Sequence, residues 1–118
     1  MLLAAILIQF LLAGLGIFAS SSFFFWHAAV NAAVVGLLPL VLVAVGWYGG
    51  VPRSTLWMTA AIFGLVVLQS LLLIPYRIGA PSWLRALSGL HVVNALFIFW
   101  VGLRLLETTS RVGARPAE

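Results

Sequence analysis

The sequence has no cysteine, no lysine and no aspartate, and its only acids are Glu107 and Glu118. Without thiols there are no disulfides, thiolate metal sites, iron–sulfur clusters or cysteine nucleophiles. Charged residues make up 7% of the 118, against about a quarter in an ordinary soluble domain, so water is not the solvent for most of this chain. The six arginines give a net charge of +4 but are too sparse to form a basic face, and nucleic acid is not an expected partner. What is abundant is apolar surface: 64% of the residues are hydrophobic, the composition of a bilayer protein.

No charged side chain occurs from Met1 to Pro52. A span needs roughly 20 residues, so this stretch must fold back once. Ser20-Ser21-Ser22 is the expected break, ending one helix and N-capping the next. Gly49-Gly50-Val51-Pro52-Arg53 and the polar link from Pro75 to Ser82 mark two further turns. The spacing predicts helices over 1–19, 23–48, 54–76 and 82–107, a transmembrane domain of residues 1–107, and a polar cytoplasmic tail over 108–118. The first stretch has small residues near its end, as a secretory signal does, but no Lys or Arg precedes the apolar run, so it is expected to be a retained helix.

With four spans, both termini and the middle link share a side. That side carries Arg53, Arg104, Arg111 and Arg115 against Arg77 and Arg85 opposite, which predicts that both termini are cytoplasmic. Trp26, Tyr76 and Trp83 fall at the expected outer ends, and Trp47, Tyr48, Trp57 and Trp100 at or near the inner ends, where amphipathic rings meet headgroups.

The order Gln, His, Asn occurs twice: Gln9, His27, Asn31, then Gln69, His91, Asn94, with Gln-to-His spacings of 18 and 22 residues. The fold class expected is therefore all-α, a four-helix transmembrane bundle made of two parallel helical-hairpin repeats. Asn31 is i+4 from His27 and Asn94 is i+3 from His91, so each amide shares a helix face with its histidine. Counting from the links puts both histidines and Gln69 in the outer half of the bilayer and Gln9 near its middle. Ala28, Ala32, Gly36, Gly64, Ser88, Ala95 and Gly102 are small enough to allow close packing or to leave room for a flat ligand.

Intramembrane histidines are costly, and neutral imidazole is a common metal and haem ligand. One reading holds haem b between His27 and His91 as metal ligands, with Asn31, Asn94, Gln9 and Gln69 orienting the imidazoles or touching the haem. The other makes the same residues interhelical polar glue. Zinc fits poorly, because two histidines supply only two of its usual four ligands. No acid or base lies between the helix ends to serve a proton pump or ion-coupled carrier. No catalytic group is assigned, and no activity of the chain's own is expected. Pro39 is expected to kink the second helix and free the Val35 carbonyl.

The run Ile8-Gln9-Phe10-Leu11-Leu12-Ala13-Gly14-Leu15-Gly16-Ile17-Phe18, followed by His27, Gln69 and Leu90-His91-Val92-Val93-Asn94-Ala95-Leu96, resembles a family of small uncharacterised bacterial four-helix membrane proteins over about Leu7 to Gly102. Gln with a nearby Gly on one helix of a hairpin and His on the next is also similar to the repeat of haem A synthase, of which this chain looks like one four-helix half. That resemblance implies haem ligation by His27 and His91, supported by Gln9 and Gln69. Ala28 and Val92 stand where the synthase usually has Arg, and its catalytic acid and cysteine pair have no counterpart, so haem-modifying activity is not implied. The function expected is b-type haem binding for electron transfer or within a redox complex. The alternative is a haem-free accessory subunit on a larger respiratory or photosynthetic assembly. Expected partners are the lipid bilayer, such a complex and a quinone.

Overall fold

A computed structural model describes residues 1–113, which form four helical segments with no strand among the described residues. α1 covers Leu2–Phe18. α2 covers Phe23–Tyr48, with a π-helical stretch at Asn31–Gly36 between two α-helical parts. α3 runs from Arg53 through Leu71, turns at Leu72 and Leu73, and resumes over Ile74–Arg77. α4 starts as a short turn of helix at Ser82–Ala86, tightens to a 3-10 turn at Leu87–Gly89, and continues over Leu90–Gly113. The stretches Phe23–Tyr48, Arg53–Arg77 and Ser82–Ser110 are long and apolar enough to cross a membrane, while α1 is shorter.

The links follow from their residues. Gly50 at φ 71° and Gly79 at φ 63° take left-handed turns that a side chain would strain. Pro52 and Pro81 then stand just before α3 and the first turn of α4, their carbonyls accepting the first helical N–H groups. The serine link behaves differently from expectation. Ser22 makes no side-chain cap and already has helical dihedrals, and the carbonyls of Ser20, Ser21 and Ser22 accept from Phe23, Phe24 and Phe25. The serine hydroxyls instead bond each other, Ser20 Oγ to Ser22 Oγ at 2.9 Å.

α4 also passes its expected end at residue 107. An Arg104–Glu107 pair at 3.1 Å bridges one turn, and the hydroxyls of Thr108, Thr109 and Ser110 fold back on carbonyls three or four residues earlier, so polar residues prolong the helix rather than ending it. The rest of the expected tail, residues 114–118, lies outside the described residues.

α1 packs on α2 and α4, and α3 packs on the same two, which leaves α2 and α4 on a diagonal of the bundle. The core takes Leu2, Ala5 and Ile6 from α1, Val35 from α2, Ile62 and Val66 from α3, and Ile98 from α4. Close approach is tightest at Gly16, where an added Cβ would stand 2.6 Å from the Phe24 ring; at Gly102 it would stand 3.1 Å from the end of Ile6. Gly64, grouped by sequence with the small residues around the site, instead faces open space. The outer surface is as apolar as the inside: only 17–22% of each long apolar stretch is buried within the chain, and Phe25, Trp57 and Ile78 stand mostly exposed.

Candidate functional site

The bundle diagonal brings the two histidines together. The rings of His27 on α2 and His91 on α4 have centroids 6.5 Å apart, with their planes at 54°. Each is held by the glutamine of its own hairpin in the same way: His27 Nδ1 lies 3.0 Å from the Gln9 carbonyl, and His91 Nδ1 lies 3.0 Å from the Gln69 carbonyl. A carbonyl oxygen only accepts, so both Nδ1 atoms carry a proton and donate it. In the neutral ring the lone pair is then on Nε2. No described residue partners either Nε2, and neither is sealed from the adjoining cavities.

Each glutamine carbonyl therefore lies beside the histidine of its own hairpin.

The amides diverge between the two halves. Asn94 donates from Nδ2 to the Leu65 carbonyl at 2.8 Å and to Gln69 Oε1 at 2.6 Å, and both side chains are buried. In the first half Gln9 docks instead on the backbone of α2. With the amide turned to the orientation that satisfies both of its ends, its nitrogen stands 2.9 Å from the His27 carbonyl and its oxygen accepts from the Asn31 N–H at 3.0 Å. The same nitrogen is 2.9 Å from His27 Nδ1, but that atom cannot accept while it donates to the Gln9 carbonyl. These contacts fall where α2 changes to π-helix. The π-helix ends at Gly36, just before the buried Pro39, so the distortion expected at the proline is located ahead of it. The Asn31 side chain has no hydrogen-bond partner among the described residues.

Two cavities flank the histidine pair, and His27, Asn31, Gln69 and His91 line both. One, of about 180 Å³, lies toward α1 and α4 and is otherwise lined by Gln9 and by apolar residues, among them Ile6, Phe10, Val35, Ala95 and Ile98. The other, of about 370 Å³, runs between α2 and α3 past Ala28, Ala32 and Gly36 to Ser70, Leu73 and Arg77. Ala28, Ala32, Gly36 and Ala95 thus make room, whereas Gly102 serves packing.

The sequence reading missed Arg77 as a site residue. The signal was present, since Gln69, Leu73 and Arg77 are spaced by four and share one face of α3. No group of three or more His, Cys, Asp or Glu side chains capable of holding a bare metal ion exists among the described residues.

Residues 9–78 match a family of unknown function, DUF6220. The chain belongs to this family. The matched stretch of this DUF6220 protein contains Gln9, His27, Asn31, Gln69 and Arg77, while His91 and Asn94 lie beyond it on α4. No curated protein and no solved structure matches the chain.

Proposed function

We propose that this DUF6220 protein is a four-span bacterial inner-membrane protein that holds one b-type haem between His27 and His91, for electron transfer or as a subunit of a redox complex. The observation that carries the reading is the pair of imidazoles, each with Nδ1 tied to a glutamine carbonyl and the two rings 6.5 Å apart. His27 and His91 would hold the iron between them through their free Nε2 atoms, and rings 6.5 Å apart leave room for one metal ion between them. A hydrogen bond on Nδ1 also fixes ligand tautomer and raises basicity at Nε2. Two protein nitrogens suffice for a haem iron, whose macrocycle brings the remaining four donors. The duplicated Gln–His contact further supports two parallel hairpin repeats and the likeness to half of haem A synthase. When bound, haem would supply one-electron redox chemistry, and the chain's part would be to ligate and orient it and exclude water.

The test is the absorption spectrum of protein purified after haem-replete expression. A low-spin, six-coordinate spectrum that sharpens on reduction is the expected result, and a colourless protein would overturn the reading. In that event the bonds from Asn94 to Leu65 and Gln69 favour the second reading, a haem-free accessory subunit whose polar groups join its own helices.

The arginine distribution supports termini on the cytoplasmic side. Reporter fusions after Gly50 and after Glu118 should therefore both report cytoplasm, and opposite sides for the two would rule out this topology.

A further inference from the structure

We propose that a macrocycle held between His27 and His91 lies with its carboxylate edge in the α2–α3 cavity, toward Arg77, and its apolar edge in the α1–α4 cavity. This rests on the haem reading above and adds an orientation that the histidine pair alone does not choose.

The two cavities differ in chemistry on the two sides of the same imidazoles. Apart from the four residues they share and Gln9, an uncharged amide, the α1–α4 cavity is lined by aliphatic and aromatic side chains. It suits the methyl- and vinyl-bearing edge of a porphyrin. The α2–α3 cavity has about twice the volume and ends at Ser70, Leu73 and Arg77. Arg77 is the only cation lining either one.

No acid of the described chain answers that charge. Glu107 is the only acid among the described residues, and it pairs with Arg104 far along α4. An anion meeting the Arg77 guanidinium in this cavity must therefore come from a bound molecule: a carboxylate of the macrocycle or a lipid phosphate. Arg binds either as a forked, charge-assisted donor. The carboxylate is favoured because the cavity connects Arg77 to the histidine pair without a break, so one amphipathic molecule can meet both. The exposure of Arg77 fits the same picture, since the carboxylate end of such a ligand belongs at the bundle end and not in its apolar middle.

The experiment titrates the detergent-solubilised apoprotein with iron protoporphyrin IX and, separately, with its dimethyl ester, in which both carboxylates are masked. Wild type should bind the free acid about tenfold more tightly than the ester, the scale of one charge-assisted hydrogen bond. Arg77→Gln should erase that preference by weakening the free acid alone, and Arg77→Lys should restore most of it. Arg85→Gln, at a residue that lines neither cavity, should behave as wild type. A lipid phosphate on Arg77 would be indifferent to esterification, so an equal preference in wild type and Arg77→Gln would overturn the orientation while leaving the haem reading intact. Equal weakening of both porphyrins by Arg77→Gln would overturn it too, as a structural defect. Failure of the wild type to bind either porphyrin would instead overturn the haem reading, and the orientation with it.

Discussion

His91→Ala should leave a folded, inserted protein that has lost its low-spin haem spectrum, and His27→Ala should do the same. Each imidazole would supply one of two axial bonds, and removal of either ends bis-histidine ligation. The folding cost is small by comparison. Each ring makes one internal hydrogen bond, to Gln9 or Gln69, and such bonds between membrane helices average below about 1 kcal/mol. The two roles therefore separate cleanly in one spectrum and one melting curve. Asn94→Ala is the companion variant: it frees Gln69 Oε1 and the Leu65 carbonyl beside the His91 anchor, and should weaken haem retention without abolishing it. An unchanged haem spectrum in the double His27→Ala, His91→Ala protein would remove both residues from the ligand set.

Ile62→Ala is expected to be the most destabilising single truncation in the bundle. Ile62 is 0% exposed at the centre of a cluster drawn from all four helices. In lipid the water-transfer part of a large-to-small penalty is absent, since the unfolded helix is already in an apolar solvent. The lost dispersion contacts and the cavity remain, for about 1–3 kcal/mol. Val67→Ala is the contrast, because Val67 is 42% exposed on the same helix and its truncation should stay within about 0.5 kcal/mol. Unfolding both variants in mixed micelles would show the difference, and equal losses would mean that burial within the bundle does not set helix packing here.

How much was legible in the chain depends on whether a feature is local. Glycine and proline in the two longer links announced their turns, and the positive φ at Gly50 and Gly79 and the prolines heading α3 and α4 are the geometry those residues prefer. Ser20-Ser21-Ser22 announced a break but not its form: hydroxyls that might have capped α2 satisfied one another, and the link kept helical turns. At the other end, Thr108, Thr109 and Ser110 read as a polar tail by composition yet continue α4, because hydroxyls can return their hydrogen bonds to the helix that carries them.

The sequence by itself determined the helices, their apolar character and the inventory of chemistry. A chain with almost no charge and no cysteine can satisfy its backbone in an apolar medium only through internal hydrogen bonds, and beside hydroxyls such as those of the buried Thr55 and Thr59 the polar groups it can bring inside are the repeated Gln, His and Asn. Only the tertiary structure decided which of these meet. His27 and His91 are 64 residues apart, and their 6.5 Å approach depends on α2 and α4 sharing a diagonal, a relation no spacing along the chain encodes. The fold also separated two motifs that read alike. It left the Asn31 amide without a partner among the described residues, against both cavities, and tied Asn94 to Gln69.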